Sequence, residues 1–121
     1  MGSWRAIYNH MVVRIADADL NAIFRALADA TRRDILRRTL VGAVSVSGLA
    51  ADYEMSFAAV QKHVQVLEDA GLVQKDAVGR ERLVRANADT LARARACLAE
   101  LEALWRHRLT GLDALLAEPE E

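Results

Sequence analysis

Five residues near the middle of the chain combine types and spacing suited to recognition chemistry: Ser56, Ala58, Gln61, Lys62 and Gln65. A glutamine carboxamide presents a donor and an acceptor side by side, which matches an adenine edge bidentately, and a lysine ammonium meets either a guanine edge or a phosphate. A small residue such as Ala58 lets a helix backbone approach a groove. A serine at the helix start, with the free N–H groups behind it, suits a phosphate oxygen. On a helix, Ala58, Gln61, Lys62 and Gln65 fall opposite Val60, Val64 and Leu67, which follow one another at spacings of four and three. A solvated polar face has the same composition, so the residue types alone leave both readings open.

The ingredients of catalysis and metal binding are sparse. The sequence holds no Ser/His/Asp set, glycine-rich phosphate loop or HExxH, and its three histidines are scattered, so no enzyme is read and no cofactor is implied. The single cysteine, Cys97, excludes an internal disulfide or a multi-cysteine zinc site within one chain. His107 follows it at a helical distance of about 15 Å, too far for one ion within a chain, which leaves a pairing between subunits as the alternative. Cys97 reads as a small residue at the edge of an apolar stripe or, alternatively, as a redox-sensing thiol.

The elements that must carry the five residues follow from capping and periodicity. Residues 1–16, MGSWRAIYNHMVVRIA, place Trp4, Ile7, Tyr8 and Met11 at helical spacing and read either as a short leading helix or as residues left from cloning. Asp19 is expected to cap a helix containing Leu20, Ile23, Phe24 and Leu27. Thr31 is expected to cap a second, with Asp34 as its capping-box partner, Ile35, Leu36 and Leu40 inward and Gly42 ending it. Ser45 or Ser47 begins a third, short helix running to about Tyr53, with Val46, Leu49 and Ala50 inward. Ser56 caps the fourth, Gly71 stops it, and Leu72 and Val73 re-enter the core.

Two extended runs, about 72–76 and 81–86, form a hairpin around Gly79, with Arg80, Arg82 and Arg85 on or near it. From Ala88 to about Ala117 no proline interrupts a long helix with a leucine stripe. Within it Leu98, Leu101, Trp105, Leu109, Leu112 and Leu116 advance by threes and fours, close to the roughly 3.5-residue repeat of a packed helical seam. Such a stripe needs a partner, and together with Leu20 and Phe24 of the first helix it is expected to form a homodimer interface.

The chain of 121 residues is one domain by size, with 53% hydrophobic residues and a formal net charge of −1. That charge is unevenly spread. Residues 56–95 carry seven Lys/Arg against five Asp/Glu, and residues 96–121 carry two against six, so the middle suits a polyanion and the tail, 118–121 included, does not. No run approaches the roughly 18 apolar residues of a membrane span and no secretion signal is recognised, so the expected location is the cytoplasm, with no membrane partner.

Three stretches resemble the ArsR-type winged helix-turn-helix regulators of bacteria: IFRALADATRRDIL at 23–36, VSGLAADYEMSFAAVQKHVQVLEDAGLV at 46–73 and GRERLVRAN at 79–87. The likeness runs from about Asp19 to Leu116. It departs from the family pattern at Ala30, where proline is usual, at Gln61, where serine is common, at Gln65, where lysine is common, and at Val64, where leucine is common. The resemblance implies a mainly α fold with a small β-hairpin, spanning 17–117, with a recognition helix at about 56–70, a wing at about 72–87 and a dimerisation helix at about 88–117.

It also implies a homodimeric repressor, with its own gene among the candidate targets, on an inverted-repeat DNA operator. Ser56, Ala58, Gln61, Lys62 and Gln65 would stand at the DNA face and Arg80 and Arg82 on the wing. His63 matches the motif histidine, with packing or hydrogen bonding set against phosphate contact. Arg32 and Arg33 match the family's paired arginines, with phosphate contact by one of them set against local pairing. The family's Cys-x-Cys metal site would fall at Val44-Ser45-Val46-Ser47-Gly48, which has no thiol, and no metal is assigned. A metal- or thiol-responsive sensor and a protein-interaction module built on the stripe are the alternative readings. The effector is unknown.

Overall fold

The computed structural model describes residues 17–117. The reading of 1–16 as a leading helix or cloning residues, and the acidic tail at 118–121, lie outside them. Helix α1 (residues 17–27) is already running at Asp17, so Asp19 is inside it and not its cap. The Asp19 carboxylate instead pairs with Arg93 near the other end of the chain, at 3.1 Å.

Helix α2 (Ala30–Val41) is capped by Asp29, whose extended backbone lets its carboxylate accept the Arg32 N–H at 3.0 Å. Thr31 is therefore within the first turn, and Asp34 lies too far along to close a capping box. Its carboxylate accepts the Tyr53 hydroxyl proton and ties α2 to the segment after the third helix. Ile35, Leu36 and Thr39 define the buried face, which leaves Leu40, about 100° further round, 47% exposed and not inward as expected. The Thr39 hydroxyl donates to the Leu36 carbonyl at 2.9 Å, so its burial leaves no unmet donor.

A two-residue strand β1 (Val44–Ser45), not expected from the sequence, precedes α3 (Val46–Ala51). Ser45 ends the strand and caps the helix, accepting the Gly48 N–H at 2.9 Å; the helix stops two residues short of Tyr53. Helix α4 (Phe57–Asp69) follows, capped by Ser56 through the Ala59 N–H at 3.1 Å, with Val60, Val64 and Leu67 buried as their spacing predicts. Gly71, at φ +78°, turns the chain so that Leu72 and Val73 enter the core.

Strands β2 (Val73–Val78) and β3 (Glu81–Ala86) pair antiparallel from Val73 opposite Ala86 to Val78 opposite Glu81. The two-residue turn is Gly79-Arg80. Gly79 has φ +62° and Arg80 does not have a positive φ, the sign pattern of a turn that opens on glycine. Strand β1 adds to the other edge of β3, Val44 opposite Val84, giving the order β1-β3-β2. The expected hairpin is thus a three-stranded sheet.

The core gathers Ile23 and Ala26 of α1, Ile35 and Leu36 of α2, Leu49 of α3, the α4 triad, and Leu72, Val73 and Val84 from around the sheet. Helix α5 (Ala88–Ala117) joins it through Ala94, with Leu91 packed alongside. Past that point the helix runs on, at about 1.5 Å per residue, with its apolar side chains in water. No helix among the described residues is long and apolar enough to cross a membrane.

Candidate nucleic-acid interface

The helix pair α3–α4 and the hairpin converge on one cleft of about 700 Å³. Ala58, Gln61, Lys62 and Gln65 line it from α4, Arg80 and Arg82 from the wing, and Ser45 and Ser47 from the start of α3. Of the sequence-predicted site, six residues therefore share a single concavity, and Ser56 stands exposed at its entrance as the α4 cap. The buried triad Val60, Val64 and Leu67 fixes this geometry: it anchors α4 by one face and turns Gln61, Lys62 and Gln65 outward.

Among the described residues, Lys62, Arg80 and Arg82 enter no ion pair, so the cleft carries three unbridged cations beside Lys75 and one acid, Glu81. Arg85, further along β3, differs. It pairs with Asp76 across the hairpin at 3.2 Å and braces the wing.

Gln65 is held at both ends of its carboxamide. Its Nε2 donates to Asp69 at 2.7 Å and to Glu68 at 3.3 Å, and its Oε1 accepts from Lys75 of β2 at 3.3 Å. Lys75 also pairs with Glu68 at 3.4 Å. One lysine thus sets which way the amide faces, neutralises an acid on the recognition helix and links that helix to the wing. Sequence reasoning missed Lys75, because its role depends on a contact between α4 and β2 that no local pattern encodes.

The remaining two predicted residues, Arg32 and His63, lie together along α4, where they line a second concavity of about 390 Å³ with Ala59, Lys62, Gln65 and Val66. Arg32 donates from Nε to the Ala26 carbonyl at 2.8 Å and from a terminal nitrogen to the Arg25 carbonyl at 2.9 Å. Arg33 likewise donates to the Leu27 carbonyl at 2.8 Å. Both arginines donate to carbonyls in the last turn of α1, of which that of Arg25 also accepts the Ala28 N–H at 3.2 Å. Of the two roles open to the pair, the described geometry is that of local pairing. A second terminal nitrogen of Arg32 lies 3.4 Å from Nδ1 of His63, whose ring is 3.9 Å from the Asp29 carboxylate. The Arg32 backbone N–H holds the Asp29 carboxyl below the usual carboxylate range, against the opposing effect of burial and with help from the Arg32 and His63 charges. His63 thereby joins the recognition helix to the α1–α2 junction.

Two short helices with the second outward, a flanking hairpin and cations between them make a winged helix-turn-helix. HTH-type transcriptional regulator Rv2034 of Mycobacterium tuberculosis is 37% identical over 93 residues, covering 77% of this chain and 84% of its own. A crystal structure of an ArsR family transcriptional regulator is 38% identical, with a TM-score of 0.70 over 74% of this chain and 93% of that one. The chain belongs to the ArsR family of transcriptional regulators. No family model matches it, so membership rests on these pairwise likenesses. The homodimeric winged helix-turn-helix DNA-binding domain of a Mycobacterium bovis protein, 20% identical with a TM-score of 0.59, covers 76% of this chain and 83% of its own, and shares the fold.

As an ArsR-family chain, this one is a helix-turn-helix DNA-binding transcriptional regulator. The family pattern's proline position is occupied by Ala30, which is the first residue of α2. That site needs no N–H for a helical bond, so either residue starts the helix. At Val44–Ser47, where the Cys-x-Cys would fall, the chain makes β1 and the first turn of α3. Among the described residues no three His, Cys, Asp or Glu side chains gather as a metal site.

Proposed function

We propose that two copies of this chain bind one inverted-repeat operator as a homodimer and repress the adjoining promoter, with α4 of each copy in the major groove and each wing on flanking phosphates. The observation that carries the proposal is the cleft itself, with amides and unpaired cations on a face held outward by a buried triad. Gln61 reads a base edge, Gln65 reads one on exchanging its Glu68 and Asp69 bonds for the base, Lys62 meets a base or phosphate, Ser56 and the α4 N-terminus take a phosphate, and Ala58 permits close approach. Arg80 and Arg82 neutralise backbone charge. Arg32 and His63 act one step back, by holding α4 against the α1–α2 junction.

The homodimer is supported by the α5 stripe, in which Leu98, Leu101, Trp105, Leu109, Leu112 and Leu116 are each at least 40% exposed. Burying one such side chain fully is worth about 1.5–3 kcal/mol. Because the six are already part-covered, burying the rest of them in both copies is worth about 10–20 kcal/mol, which meets an association cost of about 4–15 kcal/mol when most are buried together. Leu20 and Phe24 pack against the core and are half-buried, so they join such a seam through their remaining surface. The Mycobacterium bovis domain is homodimeric on the same fold, in keeping with this arrangement.

Selection of tight-binding duplexes from a random library, followed by footprinting, tests the proposal. The expected result is a palindromic consensus with half-sites about one helical turn apart. Equal occupancy of random DNA would reject it.

A further inference from the structure

Phe57 is the first residue of α4 and is 48% exposed, inside a cleft whose rim is polar and cationic. Among the exposed large apolar side chains of the described residues, Phe57 and Trp105 are the aromatic ones, and Trp105 belongs to the α5 stripe. Phe57 has no such stripe around it. The other apolar residues lining the cleft are Val46, Ala58 and Val64, and the rest of its lining is polar or charged. An aromatic ring left half in water on a DNA-reading face costs solvation, and nothing else among the described residues covers its exposed half.

We propose that Phe57 reads the 5-methyl group of a thymine in the operator half-site, and that it is a specificity-determining residue of this chain. This rests on the reading of α4 as the major-groove helix. The N-terminal residues of such a helix are the ones that meet base edges, and the thymine methyl is the one apolar group the four standard bases present in the major groove. An amide or a cation gains nothing from that methyl, whereas a phenyl ring with Ala58 beside it gives the methyl a dry contact.

The register follows from the helix. Gln61 lies four residues after Phe57 on the same side, which places the two side chains about 5–6 Å apart, against a base step of about 3.4 Å. The thymine therefore lies within two base pairs of the base that Gln61 contacts. Phe57 and Gln61 together specify an A·T-rich pair of positions, with the methyl and the adenine edge read by neighbouring turns of one helix.

The test uses the full chain and duplexes selected from a random library. Each thymine of the consensus is replaced in turn by deoxyuridine, which removes the methyl and keeps the pairing. One thymine per half-site, within two base pairs of the position whose preference relaxes in Gln61→Ala, is expected to weaken binding about fourfold, the factor for one methyl group returned to water. Changing both half-sites is expected to give about fifteenfold.

Phe57→Ala is expected to bind the natural duplex more weakly and to be indifferent to that deoxyuridine, while Phe57→Leu retains part of the discrimination. Circular dichroism of each variant verifies the fold. Tolerance of deoxyuridine at every thymine, or an undiminished deoxyuridine effect in Phe57→Ala, overturns this proposal and leaves the regulator reading standing. A library that yields no consensus overturns both.

Discussion

Helices α4 and α5 are both amphipathic, yet one is finished within the chain and the other is not. Helix α4 buries Val60, Val64 and Leu67 in the core and shows water a face of amides and Lys62, with Phe57 and Val66 part-exposed. Helix α5 does the reverse past Ala94: its leucines and Trp105 face water, and no element of the described chain covers them. A polar face in water is stable and waits for a ligand of opposite charge. An apolar face in water is costly and calls for another protein surface. The difference separates two functions along one chain, reading and assembly, with the α1–α2 junction and the sheet between them.

The sharpest way to break the comparison is to make α5 polar. Leu101→Glu with Leu112→Glu is expected to give a monomer in sedimentation that loses about 10²–10⁴-fold in operator affinity, the usual scale for losing a linked second site. Its recognition helix would remain intact by circular dichroism. The reciprocal change, Gln61→Ala or Gln65→Ala, leaves the dimer whole and is expected to cost about 1–3 kcal/mol of operator binding with relaxed specificity at one position.

Lys75→Met sharpens the α4 side further. It releases the Gln65 amide and leaves Glu68 without its partner, so operator affinity is expected to fall by about 1 kcal/mol. In a Gln65→Ala background most of that effect should vanish, a coupling that a double-mutant cycle measures. On the wing, Arg80→Ala with Arg82→Ala is expected to weaken all sequences alike and to lower the salt-dependence slope by about one unit per lost phosphate contact. An unchanged slope would make the pair a solvated hairpin edge.

The smallest expected effects touch neither surface. Asp29→Ala removes the α2 cap and is expected to cost about 1 kcal/mol of stability at neutral pH. Because the folded-state carboxyl of Asp29 titrates lower than an unfolded one, its contribution is present above the ordinary value of 3.8 and is lost as pH falls through the folded value. The stability gap between wild type and Asp29→Ala should therefore narrow in acid below about pH 4, measured by denaturant unfolding. Ala30→Pro restores the family residue at the first position of α2, after an Asp29 whose extended φ and ψ suit a following proline. A gain of about 0.4–1 kcal/mol is expected, with operator affinity unchanged.

Much of this arrangement is legible in the sequence where a local rule decides the outcome. The α4 triad, the Ser56 cap, the Gly79 turn and the long α5 each follow from periodicity or from one residue's conformational preference. The misses have physical causes as well. Asp29 outcompetes Thr31 as a cap because an aspartate in extended backbone lies one turn ahead of the Arg32 amide, and both residues match the pattern. Strand β1 has two residues, too few for alternation to register, and exists because β3 offers a free edge. Leu40 satisfies helical spacing but lies just off the face that Ile35, Leu36 and Thr39 define. At the cleft, the outward placement of Gln61 and Lys62 and the position of Arg80 and Arg82 on the hairpin are legible from spacing and turn chemistry. The commitment of Arg32 to α1 carbonyls, the Lys75–Gln65 link and the exposure of Phe57 depend on tertiary neighbours, which no single window of sequence contains.

The central claim is that one chain is half of a DNA-reading unit, completed through α5. Sedimentation velocity of the wild-type chain, alone and with one equivalent of a selected duplex, addresses it directly. The account predicts a dimer in the absence of DNA and a complex of two chains per inverted-repeat duplex. A monomer that binds a single half-site as tightly as the full palindrome would contradict it.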